Sequence, residues 1–214
     1  MENSLAGDLE GLSLVQSTLQ RMAIAPATST ATRDEEVGGI PVDSDFVIFI
    51  VDTSGSMLSI WDRVAREILH VLQIHPQVKG FQILNDQGKA LLDGYSGRWI
   101  PDTPQRRKSV MQVFAGWRAA SNSSPVEGIQ MALKRYAKPG QSTAIYVFGD
   151  DYSGSSYDPV IAAITEMNRL PTNGRRLAKI HAVGFLSKYT TGRFAILMRE
   201  MTKVNGGTFL ALPI

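Results

Sequence analysis

The stretch DFVIFIVDTSGSM, residues 45 to 57, decides how the rest of the chain is interpreted. Its first part is a run of β-branched and aromatic residues, which is typical of a buried strand. Asp52 follows this run at once, and Ser54 and Ser56 stand behind it on either side of Gly55. A carboxylate placed where a buried strand ends, with hydroxyls spaced behind it, predicts a functional site at that end of the strand.

Similar short runs alternate with amphipathic helical stretches from Asp45 onward, beginning with a helix expected over about residues 57–73. This alternation is the signature of a mostly parallel sheet covered by helices on both faces. Segments 78–85 and 89–94 are separated only by Asp-Gln-Gly, which is too short for a parallel crossover, so an antiparallel hairpin is expected there. We therefore predict an α/β fold for residues 44–214, with a doubly wound, mostly parallel, six-stranded sheet and one antiparallel edge strand.

The first forty-three residues have a different character. Leu5, Leu9, Leu12 and Leu19 recur at helical spacing, and a small polar linker occupies residues 25–39. We predict that residues 1–43 form an N-terminal helix and a polar linker. Docking on the domain, pairing in a coiled coil and binding of a partner helix are all compatible with the leucine pattern, and disorder is a further alternative.

Composition limits the possible classes of function. The formal net charge of +2 argues against a polyanion-binding surface as the main function, so a nucleic-acid partner is not expected. The chain has no cysteine, which excludes disulfides and thiolate sites for metal or nucleophilic catalysis. No apolar run is long enough to span a bilayer, and the start of the chain lacks the order of a signal peptide. A cytoplasmic location is expected, the alternative being a fragment of a membrane-anchored protein.

The predicted topology brings three loops to one edge of the sheet. Ligands of doubly wound sheets bind outside the carboxyl ends of the strands, where the winding order reverses. Asp52 ends the first strand and Asp150 ends the strand TAIYVFGD, and these two strands are expected to be neighbours across the reversal. The loop before PVEGIQMAL opens on the same edge and carries Ser123 and Ser124.

All donor atoms of this predicted cluster are hard oxygens, and it contains no histidine or cysteine. Such a donor set suits Mg²⁺, with Mn²⁺ or Ca²⁺ as substitutes, and does not suit zinc or copper. Because few carboxylates touch the ion, it would accept another acidic group from outside. Each motif also has a plainer interpretation, since Ser56 could be a helix N-cap and Ser-Gly-Ser a simple turn.

Four motifs together resemble the von Willebrand factor type A domain, of the prokaryotic kind, over about residues 44–214. They are DTSGS at 52–56, SSPVEGIQMAL at 123–133, YVFGDD at 146–151 and the terminal NGGTFLAL. The first and third motifs are fairly specific when they occur together. The resemblance implies a non-enzymatic domain that binds a protein partner through a metal ion-dependent adhesion site.

The resemblance also implies which residues bind the metal: Asp52, Ser54, Ser56, Ser124 and Asp150. Ser124 stands where the family usually has threonine, which keeps the ligand oxygen, and the third-loop aspartate often reaches the metal through water. Where the family commonly has threonine, aspartate and glycine, this chain has Gly149, Asp150 and Asp151, so one more negative charge is expected near the ion.

The remaining position of the metal is expected to be filled by an Asp or Glu of the partner. We predict a partner-binding rim made of Trp117, Arg118, Asp151 and Tyr152, because aromatic and arginine side chains often anchor partners. Packing beneath the loops is an equally plausible role for Trp117, Arg118 and Tyr152. A rival within the same class is a domain that binds mainly through its N-terminal helix, with a structural metal.

An enzymatic alternative is a haloacid dehalogenase-like phosphatase that uses Asp52 as its nucleophile. That chemistry normally needs a second carboxylate two residues later as general acid, and here this position is Ser54. Two basic clusters, 106–108 and 175–179, could contact phosphate groups, although solvated surfaces explain such clusters more simply.

Overall fold

A six-stranded sheet forms the centre of the computed structural model, which describes residues 44–75, 78–186 and 190–213 and the short antiparallel strands Glu36–Val37 and Ile40–Pro41. The predicted N-terminal helix lies outside the described residues. The sheet strands are β1 (Phe46–Val51), β2 (Gly80–Asn85), β3 (Ile100–Pro101), β4 (Thr143–Gly149), β5 (Lys179–Leu186) and β6 (Phe209–Pro213).

The strand order is β3-β2-β1-β4-β5-β6, and only β3 runs antiparallel to its neighbour. This confirms the predicted fold class and the pairing of the first strand with TAIYVFGD. The chain first winds outward from β1 through β2 and then returns to the other side of β1 through β4. The winding order therefore reverses between β1 and β4, as expected for a doubly wound sheet.

The antiparallel strand differs from the prediction in its position. The turn after β2 does form, since the Asn85 amide donates to the Lys89 carbonyl at 2.8 Å and Leu84 bridges Ala90. The chain then leaves the sheet through a 3₁₀ turn at Asp93–Tyr95 and returns only at Ile100, which pairs with Phe81. Segment 89–94 was predicted as the strand because its apolar residues suit one, but only residues 89–91 contact β2 in this way, and the excursion begins after them.

Helices cover both faces of the sheet, and the alternation of side chains along β1 explains why. Val47, Phe49 and Val51 point into one apolar cluster, while Ile48 and Ile50 point into the other, and all five are fully buried. The helices are α1 (Gly55–Leu58), α2 (Trp61–Ile74), α3 (Pro104–Ala115), α4 (Val126–Arg135), α5 (Asp158–Met167) and α6 (Arg193–Val204). None of the helices in the described part of the chain combines the length and apolar character needed to cross a bilayer.

The helix predicted over residues 57–73 is divided into α1 and α2. Trp61 begins α2, and its ring stacks on Phe114 of α3 with a centroid distance of 4.6 Å. The Trp61 indole also donates to the Phe114 carbonyl at 2.9 Å. The ring stacking and the indole hydrogen bond together fix where α2 begins. The helix α1 therefore remains a separate turn directly after the Asp52 loop.

Gly128 allows α4 to lie directly against the ends of β1 and β2. A Cβ atom at Gly128 would come within 2.7 Å of the Ile50 side chain and 2.9 Å of the Asn85 and Asp86 carbonyls. The Gly128 amide donates to the Asp86 carbonyl at 2.7 Å. The position of α4, and of the loop that precedes it, therefore depends on a residue without a side chain.

We predict that Gly128→Ala lowers the free energy of unfolding by about 1–3 kcal/mol, because the added methyl group has no space and overpacking exceeds the gain in helix propensity. Urea unfolding followed by circular dichroism measures this change. Gly94→Ala is the matched control, since a Cβ there meets no atom within 4 Å. An equal effect of both substitutions would contradict the close packing of α4.

Candidate metal-binding site

Asp52 anchors the first loop at the end of β1. Its amide donates to the Phe148 carbonyl of β4 at 2.8 Å, and its carboxylate accepts the Ser54 amide at 2.8 Å. These two bonds fix both the backbone and one carboxylate oxygen. Asp52 is 4% exposed, so its charge is largely removed from water.

The two serines of this loop are not used to cap the following helix. Ser54 occupies the N-cap position of α1, but its side chain makes no capping hydrogen bond. Its hydroxyl instead lies 3.1 Å from the Ser56 hydroxyl, and Ser56 itself is exposed. The N-cap interpretation of Ser56 is therefore not what the structure shows, and both hydroxyls lie together behind Asp52.

Asp150 follows β4 and lies at the same edge of the sheet as Asp52, because β1 and β4 are adjacent and parallel. One oxygen of each carboxylate, Asp52 Oδ2 and Asp150 Oδ1, is buried and has no hydrogen-bond partner among the described residues. Buried polar atoms are rarely left without a partner, because desolvation without compensation is costly. Two such oxygens at one edge of the sheet mark a place where a cation would be stabilised.

The second loop reaches this edge through serines on both sides of a bend. Ser121 donates to Asp52 Oδ1 at 3.3 Å, which ties the loop to the first aspartate. Ser123 has a φ of 56°, a left-handed conformation unusual for a residue other than glycine, and its carbonyl accepts the Ser153 amide of the third loop at 3.0 Å. The strained residue thus joins two of the three loops.

Ser124, the predicted second-loop ligand, donates its hydroxyl proton to Glu127 at 3.0 Å. A serine hydroxyl has one proton and two lone pairs, so this bond leaves its oxygen free to accept or coordinate. Glu127 lies in the first turn of α4 and is exposed. It orients Ser124 in the way that outer carboxylates orient the ligands of metal sites.

Asp86 is a third carboxylate at this edge that sequence reasoning missed. It follows β2, is fully buried, and accepts the Thr53 hydroxyl at 3.4 Å and the Ser124 amide at 3.3 Å. It therefore connects the first loop to the second. The rule that selected Asp52 and Asp150, an acid directly after a buried strand, applies equally to Asp86, which was instead assigned to a hairpin turn.

Burial raises the pKa of all three aspartates. Desolvation raises the pKa of Asp52 to about 6, against the hydrogen bonds from Ser54, and the charges of Asp86 and Asp150 add to the increase. Desolvation also raises the pKa of Asp86 and Asp150, although Ser121 and Ser56 respectively oppose it through side-chain hydrogen bonds. Without a cation the cluster is electrostatically unfavourable at neutral pH.

The predicted rim residues differ in their accessibility. Arg118 is exposed and donates to the Ala115 and Trp117 carbonyls, while Trp117 is half-buried with its ring centroid 6.1 Å from that of Phe114. Asp151 is half-buried, and its carboxylate accepts the Tyr152 amide at 2.8 Å and the Thr191 hydroxyl. Trp117 and Arg118 lie on the loop that carries Ser121, so they remain candidates for contact with a partner.

Tyr152 is not available as a rim residue in this structure, because it is only 3% exposed. Its hydroxyl donates to the Ser156 carbonyl at 3.0 Å, and Arg193 of α6 lies 5.8 Å above its ring. Arg193 also donates to the Tyr152 carbonyl at 3.0 Å and to the Gly154 carbonyl. Arginine and aromatic ring together pin the third loop, which is the packing role that was left open for Tyr152.

The donor set fits a hard cation but does not resemble a carboxylate- or histidine-rich site. Within the described residues, no group of three or more His, Cys, Asp or Glu side chains is arranged to hold a metal ion. Any ion at this edge would therefore depend on the serine hydroxyls as well as on the two aspartates with unpartnered oxygens. Oxygen-only ligation of this kind is compatible with Mg²⁺, which usually retains several waters.

Comparison with known proteins supports the fold and does not test the site. The sequence matches no protein-family model, and no curated protein matches it. Among solved structures, it is similar to von Willebrand factor type A from Catenulispora acidiphila, with a TM-score of 0.61 and 13% sequence identity. The match covers 79% of this chain and 38% of that one. At this identity the likeness concerns the fold alone, and the fold is von Willebrand factor type A-like.

Proposed function

We propose that the protein is a metal-dependent interaction module in which Asp52, Ser54, Ser56, Ser124 and Asp150 bind Mg²⁺. The observation that carries the proposal is the pair of buried carboxylate oxygens, Asp52 Oδ2 and Asp150 Oδ1, that have no hydrogen-bond partner in the described part of the chain. The hydroxyl groups of Ser54, Ser56 and Ser124 are the other oxygen ligands in this proposal. Folds of the von Willebrand factor type A kind commonly mediate protein–protein interaction, which agrees with this role.

A divalent cation would relieve the electrostatic cost of this edge of the sheet. It would pair with the two unpartnered oxygens and accept lone pairs from the serine hydroxyls. The Ser124 oxygen has a lone pair for this role because its proton goes to Glu127. Asp86 supports the site from behind by holding Thr53 and the Ser124 backbone.

The partner in this proposal is a protein that presents an Asp or Glu. An ion held by two carboxylates and neutral hydroxyls keeps affinity for another oxygen anion, and Mg²⁺ bound in this way supplies electrostatic attraction for that acid. One such bond seldom overcomes the entropy cost of association, so nearby side chains must add contact. The accessible candidates are Trp117 and Arg118, which precede Ser121 on the second loop.

We also propose that the site is not catalytic. The position two residues after Asp52, where a phosphatase of the alternative type carries its general acid, is Ser54, which is 7% exposed and has its hydroxyl beside that of Ser56. A serine hydroxyl is too weak an acid to protonate a leaving group in that role.

The metal site predicts saturable binding of Mg²⁺ or Mn²⁺ to protein freed of metal by a chelator. Asp52→Ala should abolish this binding, and Ser54→Ala or Ser56→Ala should weaken it, because each change removes a ligand oxygen. Isothermal titration calorimetry measures the affinity. Asp62→Ala is the matched control, since it removes an exposed carboxylate of α2.

Equal metal affinity of the wild type and Asp52→Ala would refute the assignment of the ligands. Hydrolysis of a simple phosphate ester that requires Mg²⁺ and is lost in Asp52→Asn would instead support the phosphatase alternative.

The raised pKa of Asp52 predicts how stability depends on pH in the absence of metal. The folded protein holds the proton of Asp52 up to about pH 6, whereas the unfolded chain releases it near the ordinary value of 3.8. Stability should therefore fall as pH rises through this interval and stay reduced above it. Asp52→Asn should be more stable than the wild type at neutral pH, by up to about 3 kcal/mol, with no gain below about pH 4.

Urea unfolding in the presence of chelator, at about pH 4 and about pH 7, tests this expectation. Added Mg²⁺ should stabilise the wild type and leave Asp52→Asn much less affected. A variant less stable than the wild type at neutral pH would show that the Asp52 charge is not a burden to the fold.

Partner binding should depend on the ion and on the second loop together. In pull-down experiments, a chelator or Asp52→Ala should abolish capture of the partner. Trp117→Ala should reduce capture, because it weakens the free energy of partner binding by about 1–3 kcal/mol, without changing metal affinity. A full-length variant with Leu9→Gln and Leu12→Gln should bind normally. Loss of binding in that variant, with no effect of the chelator, would assign the interaction to the N-terminal segment.

A further inference from the structure

A second feature of the molecule lies at the amino-terminal ends of the parallel strands, opposite to the ends that carry Asp52 and Asp150. Ser44 precedes β1, Thr143 begins β4 and Lys179 begins β5, and all three line one open cleft of about 710 Å³. Because these strands are parallel, their beginnings lie about 20 Å from the ends that carry the aspartates. The cleft is therefore separate from the proposed metal site.

Positive charge dominates the lining of this cleft. The described residues that line it include no Asp or Glu. They include five cationic residues, which are Lys138, Arg169, Arg175, Arg176 and Lys179. The three arginines are brought together by a turn, in which Arg169 and Arg176 form an antiparallel β-bridge and the Leu170 amide donates to the Arg175 carbonyl at 2.8 Å. The backbone thus holds these arginines close to one another.

Three of the cations have no internal partner in the part of the chain that the structure describes. The side chains of Lys138, Arg169 and Arg175 are exposed and make no hydrogen bond or ion pair there. By contrast, Arg107 of α3 forms an ion pair with Asp102. Like charges gathered without a counter-charge repel one another, so an anion bound among them would be favoured.

A buried hydroxyl group in the lining of the cleft favours the same kind of ligand. Thr143 is 3% exposed, and its hydroxyl oxygen is buried without a hydrogen-bond partner in the described residues. A hydroxyl in this state can donate to an anionic oxygen.

The lining also indicates which anion fits. Arginine binds phosphate through two parallel hydrogen bonds, and three of the five cations are arginines. The volume lies within the range of small-molecule sites, and the described residues that line the cleft include no Phe, Tyr or Trp to stack on a base. We propose that this cleft binds a compact ligand that carries several phosphate groups, either free or as a lipid headgroup.

Isothermal titration calorimetry of the full chain with inorganic tripolyphosphate tests the proposal. We expect saturable binding that is weakened by salt. The double variant Arg169→Gln, Arg175→Gln should lose about tenfold or more in affinity, because each arginine supplies charge-assisted hydrogen bonds. The control Arg66→Gln, Lys108→Gln changes the net charge equally at exposed positions outside the cleft and should bind as the wild type does.

Additional experiments distinguish a free phosphate ligand from a lipid headgroup, and distinguish the cleft from the proposed metal site. Sedimentation with phosphatidylcholine vesicles, with and without phosphatidylinositol bisphosphate, identifies a headgroup if binding needs that lipid and is lost in the cleft variant. Asp52→Ala should bind tripolyphosphate normally, so the proposal stands or falls independently of the metal site. Absence of saturable tripolyphosphate binding, or equal weakening by the control variant, would overturn it. Binding of single-stranded RNA alone would also overturn it, in favour of a polynucleotide.

Discussion

The burial of charge at the end of β1 is the constraint on which the rest of this edge depends. The position of Asp52 is fixed because β1 is buried on both faces and ends where the winding order of the sheet reverses. Once there, the carboxylate is removed from water, and its pKa rises to about 6. An amide and a hydroxyl of the loops donate to one oxygen of Asp52, whereas the other oxygen has no hydrogen-bond partner among the described residues and would be stabilised by a cation.

The surrounding hydroxyl groups offer oxygen ligands without adding negative charge near Asp52. A site with further carboxylates as ligands would bind an ion more tightly, but it would also increase the repulsion that already raises the pKa of Asp52. Serines supply lone pairs at no such cost, and Glu127 of α4 accepts the proton of Ser124. Asp86 is the exception, and its backbone and side-chain bonds suggest why it is present: it holds the loops in place.

The sequence alone was enough for the fold class because the relevant signals are local. The apolar runs, the helical stretches and the carboxylates at Asp52 and Asp150 are each visible within a few residues, and parallel topology then brings the ends of β1 and β4 together. The misplaced antiparallel strand has the opposite character. Residues 89–94 suit a strand, but the pairing of Ile100 with Phe81 depends on an excursion whose course no local pattern specifies.

The difference between local sequence signals and tertiary contacts also explains which residues of the candidate site could be predicted. Asp86 was overlooked although it follows a buried strand, since the hairpin interpretation accounted for it. The burial of Tyr152 could not be read from the sequence, because it depends on Arg193, which is separated from it by 41 residues. Side chains on loops are either contact surfaces or internal packing, and only the tertiary partner distinguishes these two roles.

Arg193 has a consequence for motion at the third loop. This arginine begins α6 and bonds to two carbonyls of the segment that follows Asp150, while its charge lies over the rings of Tyr152 and Tyr157. Loop and helix terminus are therefore expected to open together, and their amides should exchange hydrogen for deuterium as one cooperative unit. A ligand that steadies Asp150 would then slow exchange at the start of α6, far along the chain from the residues it touches.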